Sequence, residues 1–342
     1  MPAGKEGNPK GSAPSSSLSR NEERTQTRAL LTKKGVLAFE SGGTKLVAGV
    51  ADSSGRLLET RLCRREPRAK APASLERLIG MGELLKRKYE SEGWSFGGAG
   101  FGFGGLVRRS TQETFMCHHE EGWNEIDTGQ ALRQKFGLPA WIENDCKVAA
   151  LAEAQAGAGR DARTVFYVTI GTGVGGGMVQ DGRIMEMSDV GEAEIGHVIV
   201  LPQGPKCGCG MRGCVEAVCS GPGMSALAAY MGAPRAMTSH ELFAGWSAGN
   251  QFAARVVEKA ANLLGGALAT VQTLVNPDVF VIGGGVGSNL PAYVELLQRT
   301  ARQWVVPYFR DRLRLECAEL REQVVVHGAA LLALQKLNWR TE

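Results

Sequence analysis

The chain has 342 residues, 43% hydrophobic and 22% charged, with 46 glycines against 13 prolines and a net charge of only +4. That length allows two lobes with cores of their own, and so weak and interleaved a charge gives no electrostatic case for a nucleic-acid or membrane partner. The most apolar long stretch, Leu263 to Val281, is interrupted by Gln272, Asn276, Pro277 and Asp278, which falls short of the about 20 apolar residues of a membrane span.

Residues 1–34 are rich in Ser, Lys, Arg and Gly and poor in apolar side chains, and they read as a disordered tail. A transit peptide is the alternative, opposed by Glu6, Glu22 and Glu23 and by the lack of an amphipathic stripe. From Val36 the segments VLAF, ESGGTK, LVAGV, the turn Asp52 to Gly55 and RLLET predict a three-stranded meander. The charged run from Arg61 to Arg68 reads as a solvated face, and Ser74 to Tyr89 carries apolar residues at helical spacing. A second meander follows in TVFYVTI, GTGVGG, GMVQ, Asp181-Gly182 and RIME; at a shift of 129 positions Val36 meets Val165, Gly42 meets Gly171, Val50 meets Val179 and Asp52 meets Asp181. That recurrence predicts two related lobes.

Helices are expected at 145–156 and 251–275, the latter ending at Asn276-Pro277. VFVIGGG at 279–285 reads as a buried strand running into a glycine turn, and HGAALLALQKL as a closing helix. Strands alternating with helices make the class α/β.

The segment Gly171-Thr-Gly173-Val-Gly-Gly176 satisfies G-x-G-x-x-G after a strand, but it leads into a hairpin with an Asp-Gly turn rather than into the helix a dinucleotide fold requires. Glycine backbone in such a hairpin still forms an anion nest. Glu40-Ser-Gly-Gly-Thr-Lys45 offers the same donors from Gly42 to Thr44, plus an ammonium and a carboxylate suited to hydrated Mg²⁺. The alternative is that both are merely tight hairpins. Two matched loops together with Gly283, Gly284 and Gly285 favour phosphate.

CGCGMRGCVE places Cys207, Cys209 and Cys214 within ten residues, with His197 upstream. Three thiolates and one imidazole suit a closed tetrahedral zinc site better than a redox motif, which prefers C-x-x-C. Cys219 is a rival fourth ligand. Cysteines 63, 117, 146 and 317 stand apart and no secretory signal opens the chain, so a reducing cytoplasm is expected. Asn144 and Asp145 precede a helical run, and on that ground alone the reading for Asp145 is a helix cap. Trp123 is either a stacking platform for a ligand or, as a lone Trp after Gly more often is, a packing residue.

Taken together these motifs resemble the ROK family of sugar kinases and repressors, within the actin-like and hexokinase-like ATPase superfamily. The resemblance spans about residues 36 to 338: ESGGTK is similar to the family's D-x-G-G-T-K phosphate loop, IENDCKVAALAE to its catalytic segment, TIGTGVGGGMV to its second phosphate loop, GEAEIGHV with CGCGMRGCVE to its zinc segment, and NPDVFVIGGGVG to its adenosine-side loop. It implies a two-lobed actin-like, ribonuclease H-like ATPase fold with an internal repeat and a zinc-binding loop. The expected division is a small lobe at 35–144, against which the helix 325–340 packs back, and a large lobe at 145–324 with the zinc loop at 197–219.

The resemblance implies further roles. Asp145 becomes the base that takes the proton of a sugar hydroxyl. Gly104, Gly105, Asn144, Glu194, His197 and Glu216 contact the sugar. Gly42, Gly43, Thr44, Lys45, Gly171, Thr172, Gly173 and Gly283 to Gly285 hold ATP. Glu40 binds Mg²⁺ through water, and His197 completes the zinc set in preference to Cys219. Two positions depart from the usual pattern: Glu40 stands where Asp is common, and Lys147 where Asn is usual. The expected activity is ATP-dependent phosphorylation of a hexose, glucose foremost and at the 6-hydroxyl, with a fructokinase, an N-acetylhexosamine kinase or a non-catalytic sugar-responsive regulator as alternatives. A homodimer or homotetramer in the cytoplasm is expected. The repressor reading lacks room for a helix-turn-helix domain ahead of the first strand.

Overall fold

The computed structural model describes residues 33–66, 69–117 and 120–339. All but the last two residues of the expected tail lie outside that range. The chain opens with β1 (Lys33–Ser41), β2 (Lys45–Asp52) and β3 (Leu57–Arg64), followed by α1 (Ala71–Ser91) and β4 (Trp94–Phe103). A small hairpin of β5 (Leu106–Arg108) and β6 (Glu113–Met116) precedes α2 (Thr128–Phe136), β7 (Ala140–Asn144) and α3 (Asp145–Ala156). Then come β8 (Thr164–Ile170), β9 (Val174–Gln180) and β10 (Arg183–Ile184). Helices α4 (Val215–Cys219), α5 (Gly221–Tyr230), α6 (Ser239–Ser247) and α7 (Gln251–Leu274) follow. The chain closes with β11 (Val279–Gly283), α8 (Gly284–Gly287), α9 (Pro291–Trp304), β12 (Leu315–Cys317) and α10 (Val324–Lys336).

Two five-stranded sheets have the same order, β3, β2, β1, β4, β7 and β10, β9, β8, β11, β12. Each begins as an antiparallel meander and ends with strands added in parallel. The predicted repeat is therefore present, with one slip. Ser41 pairs with Leu46 across four loop residues, whereas Ile170 pairs with Val174 across three. A one-residue slip moves a side chain to the other face of a sheet. Val50, matched in sequence to Val179, lies in the core with Leu37 and Phe39, whereas Val179 packs between the sheets with Val165 and Tyr167. Past the loop the structural match runs one position lower, pairing Ala51 with Val179.

Helices α3 and α10 form the layer between the sheets, in one cluster with Val36 and Ala38 from the first sheet and Val165 and Val281 from the second. This layer is tight because glycine removes the Cβ where backbones meet: a Cβ on Gly328 of α10 would lie 1.8 Å from the Val148 carbonyl of α3. Helix α10 also meets β4 closely, since a Cβ on Gly100 would lie 1.8 Å from the Ala329 carbonyl. Helix α1 covers the outer face of the first sheet with Leu75, Leu78, Gly82, Leu85 and Tyr89, a stripe at three- and four-residue spacing. Helices α4 to α7 and α9 cover the outer face of the second. Helix α7 starts at its Asn250 cap, which accepts from Ala253 N, and ends where Asn276 turns to φ 52° before Pro277.

One sequence-based expectation needs correction. Within the run from Arg61, Arg65 is not solvated: its side chain is 7% exposed and pairs with the buried Glu120 at 2.9 Å. Charge pattern alone did not reveal that buried partner, 55 positions away in the chain. No helix of the described residues is long and apolar enough to cross a membrane.

Candidate functional site

The N-terminus of α3 lies between the two sheets, and Asn144 prepares it. The Asn144 Oδ1 caps the helix by accepting from Cys146 N at 2.9 Å and Lys147 N at 3.3 Å, while its Nδ2 donates to the Gly105 carbonyl at 3.1 Å. Asn144 thus takes the capping role, and Asp145 becomes the first residue of the helix. A Cβ on Gly104 would lie 3.4 Å from Asp145 Oδ2 and 3.6 Å from the Gly42 Cα, so the carboxylate sits beside the first glycine loop. Burial raises the Asp145 carboxyl to about 6, with the charge of Glu194 adding to the rise and hydrogen bonds from Cys146 opposing it. Asp145 is only half-buried by surface area, so the protein packed around it raises the pKa while the group stays reachable.

In the first loop Gly42 N donates to the Lys45 carbonyl at 3.0 Å and is used up in closing the turn. Gly43 and Thr44 are exposed, and their N–H groups have no backbone partner among the described residues. The loop's charge comes from Glu40 and Lys45, 3.1 Å apart, and Lys45 Nζ also donates to the Glu322 carbonyl at 2.6 Å. Burial pushes Glu40 up to about 7 against the lowering pull of Lys45. Its Oε2 is buried and has no hydrogen-bond partner among the described residues. An orphaned carboxylate oxygen of this kind fits a hydrated divalent cation. Arg65, just past β3, braces the loop: its Nη2 donates to Ser41 Oγ at 2.7 Å and its backbone N to the Thr44 carbonyl at 3.0 Å.

The second loop closes by Gly171 N to the Gly173 carbonyl at 2.9 Å, and the N–H of Gly221, which opens α5, donates to the Gly171 carbonyl at 2.8 Å. Beside it opens a cavity of about 1050 Å³ whose wall includes Gly171, Thr172, Ser225, His240, Phe243 and Gly285. Gly283 and Gly284 do not line it. Gly283 is buried in β11 against the Tyr167 ring, and Gly284, at φ 76°, turns the strand into α8.

Glu194 follows Ala193, whose φ of 65° is in the left-handed region that a side chain rarely adopts. Burial raises the Glu194 carboxyl, His197 and Lys147 lower it, and Glu192 and Glu216 raise it further. Glu216 on α4 faces two ways. Its Oε2 accepts from Val174 N at 3.1 Å, just past the second loop, and its Oε1 lies 3.8 Å from Cys207 Sγ.

His197, Cys207, Cys209 and Cys214 bring one ligand atom each to within 4.8 Å of one another. Cys209 and Cys214 sulfurs are 3.7 Å apart, and Cys207 Sγ lies 3.9 Å from His197 Nδ1. Two thiolates on one tetrahedral zinc stand about 3.8 Å apart, and a thiolate and an imidazole nitrogen about 3.6 Å. Cys219 is outside the group, its thiol donating to the Ala260 carbonyl at 3.4 Å and pushed up to about 12 by burial.

A profile described as the ROK family matches residues 36–336. The chain belongs to the ROK family. An N-acetylmannosamine kinase of Citrobacter koseri is 34% identical over 300 residues, which cover 87% of this chain and 98% of the relative. A glucokinase of Halalkalibacterium halodurans is 32% identical over 256 residues, covering 70% and 77% respectively. The ROK hexokinase structure from Thermus thermophilus superposes with a TM-score of 0.79 at 32% identity, covering 89% of this chain and 99% of that one.

Within this ROK fold, Lys147 does not face Asp145. It is buried, and its Nζ lies 2.9 Å from Glu192 and 3.7 Å from Glu143. Trp123 is 1% exposed, donates its Nε1 to Glu120 at 2.7 Å and packs on Phe103, which makes it a core residue. Gly105 is tightly enclosed, since a Cβ there would lie 2.0 Å from the Met116 carbonyl. Sequence reasoning missed the brace from Arg65 and the cavity wall at Ser225, His240 and Phe243. The Thr238-x-x-Glu241 spacing, which forms a capping box that orients α6, is a signal that could have drawn attention to that wall.

Proposed function

We propose that this ROK sugar kinase transfers the γ-phosphoryl group of ATP to the 6-hydroxyl of a hexose, with Asp145 accepting the hydroxyl proton. One observation carries the assignment: Asn144 takes the cap, leaving Asp145 beside the charged first loop with its carboxyl raised to about 6. A base of that pKa is ionised at neutral pH yet a better proton acceptor than an ordinary aspartate of about 3.9. The hydroxyl proton passes to Asp145 Oδ as the oxygen bonds to phosphorus and ADP departs.

Glu194, His197, Glu216, Asn144 and the backbone at Gly104 and Gly105 form the sugar wall. Gly43, Thr44 and Lys45 address the transferring phosphoryl group. Gly171, Thr172, Gly173 and Gly285 hold the nucleotide, with the adjoining cavity for its adenosine. Glu40 would hold hydrated Mg²⁺, which supplies charge neutralisation on the phosphates. His197, Cys207, Cys209 and Cys214 would hold a structural zinc that fixes the wall from Glu194 to Glu216.

Glucose and N-acetylmannosamine are the sugars in the names of the two relatives described. The substrate class proposed here is therefore an aldohexose or its 2-acetamido derivative. The test is ADP release from Mg·ATP across glucose, mannose, fructose, N-acetylglucosamine and N-acetylmannosamine. Sugar-dependent release is expected, falling about 10³-fold in Asp145→Asn with sugar KM little changed. A folded, metal-loaded preparation inert to every sugar would sink the reading.

A further inference from the structure

Four charged side chains form a buried ring that the proposed reaction does not use. Lys147, Glu143 and Glu192 are 4%, 5% and 6% exposed at their side chains, and Arg109 is 15% exposed. Lys147 Nζ stands 2.9 Å from Glu192 Oε1 and 3.7 Å from Glu143 Oε1. Arg109 Nε donates to Glu143 Oε2 at 3.1 Å, and its Nη2 donates to Glu192 Oε1. Ser188 Oγ adds a donor to Glu192 at 3.3 Å. Burial alone would raise the Glu192 carboxyl, but hydrogen bonds from Lys147 and Arg109 hold it below its ordinary value.

The ring joins segments that each carry a site residue. Glu143 and Lys147 bracket Asn144 and Asp145 on β7 and α3. Glu192 lies two residues before Glu194, with only the left-handed Ala193 between them. Arg109, in the turn after β5, brings in a third segment and also donates to the Ser188 carbonyl, while its neighbour Ser110 donates to Asp189 at 2.7 and 2.9 Å. A buried ion pair is by itself weak evidence of stabilisation, since desolvation offsets much of its attraction. Its geometric effect is stronger: one ammonium fixes the start of the helix that presents Asp145 to the loop that presents Glu194.

We propose that Lys147 is a positioning residue for the sugar site, holding Glu192 so that the turn at Ala193 sets Glu194 near the Asp145 carboxylate. The proposal rests on the kinase reading above. Lys147 Nζ is engaged by Glu143 and Glu192, and removing its charge leaves those two carboxylates sharing Arg109 alone. Glu192, two residues before Glu194, then loses one of its two cations.

The experiment compares Lys147→Met, Lys147→Arg and the double variant Lys147→Met with Glu192→Met, using the best sugar from the panel and calorimetry for sugar binding. Expected for Lys147→Met is a rise of about 10-fold in sugar KM and Kd, with ATP KM unchanged and kcat within about 3-fold. Lys147→Arg restores both sugar constants. The double variant removes both charges, so a purely structural role predicts recovery of sugar KM, whereas positioning predicts that KM stays high even as thermal stability returns. An unchanged sugar KM in folded Lys147→Met, or its recovery in the double variant, overturns the proposal. If Lys147→Met fails to fold, Glu192→Gln takes its place, with a smaller rise in sugar KM expected and an unchanged value counting against positioning. An inactive wild type would instead sink the kinase reading, so the two failures are distinguishable.

Discussion

In the first hairpin Lys45 meets Glu40 at 3.1 Å, so the loop carries its own charged pair. The second loop, Gly171 to Gly173, has no charged side chain and receives its carboxylate from Glu216, through Val174 N at 3.1 Å. Both hairpins occupy the same place in sheets of the same strand order. The shared backbone supplies the turn and the donors, and the side chains around it supply the difference. The charged hairpin lies beside Asp145, and the neutral one opens onto the cavity of about 1050 Å³. On the proposed reading this duplicated scaffold takes unequal roles, phosphoryl transfer on one side and nucleotide retention on the other.

The sharpest way to break that contrast is to neutralise one hairpin and trim the other. Lys45→Met is expected to lower kcat about 10²-fold, because the lost ammonium acts on charge that develops during transfer. Stripping the zinc set with a chelator should raise sugar KM about 10-fold while ATP KM rises less, with metal content followed by atomic absorption. Equal losses on the two substrates would show that Glu216 couples the thiolates to the second hairpin as strongly as to the sugar wall. Thr172→Val, at the cavity mouth, should raise ATP KM about 5-fold and leave kcat nearly unchanged. Identical kinetic signatures from Lys45→Met and Thr172→Val would erase the division of labour.

The hairpins also differ in response to pH. Asp145 and Glu40, on the charged side, have carboxyls raised to about 6 and about 7. Between about pH 4 and those values the folded chain keeps protons that the unfolded chain has released. Stability therefore falls as pH rises through this window, while kcat/KM climbs as Asp145 ionises. Urea midpoints without ligands should be lower at pH 7.5 than at pH 5, and Glu40→Gln should shrink that difference. A midpoint that rises with pH in the wild type, or an unaltered difference in Glu40→Gln, would show that these two carboxyls do not dominate.

Glycine spacing and the cysteine set made the two hairpins and the grouping of His197 with Cys207, Cys209 and Cys214 legible in the sequence, because tight turns and close-set thiols each restrict residue type at fixed offsets. Helix α3 was legible to its ends for a similar reason, alanine richness following an Asn cap. The role of Arg65 was hidden, since exposure depends on the distant Glu120. The direction of Lys147 was hidden likewise: its partner Glu192 is 45 positions away, and nothing local distinguishes a lysine that faces Asp145 from one that turns aside. The one-residue slip between the repeats escaped sequence matching because Val50 and Val179 are the same residue type on opposite faces. Gly283 was drawn into the phosphate set by composition, whereas packing against Tyr167 explains it.

The contact of Gly328 with the Val148 carbonyl limits how the two sheets can move. Where helices touch through side chains, rotamer changes let one slide along the other. At Gly328 α10 meets α3 through backbone, and a slide there would drive a carbonyl into a Cα. The helix pair would therefore act as a pivot, permitting rotation of one helix about the other more readily than sliding. Asp145, three residues before Val148 on α3, lies within one helical turn of that contact.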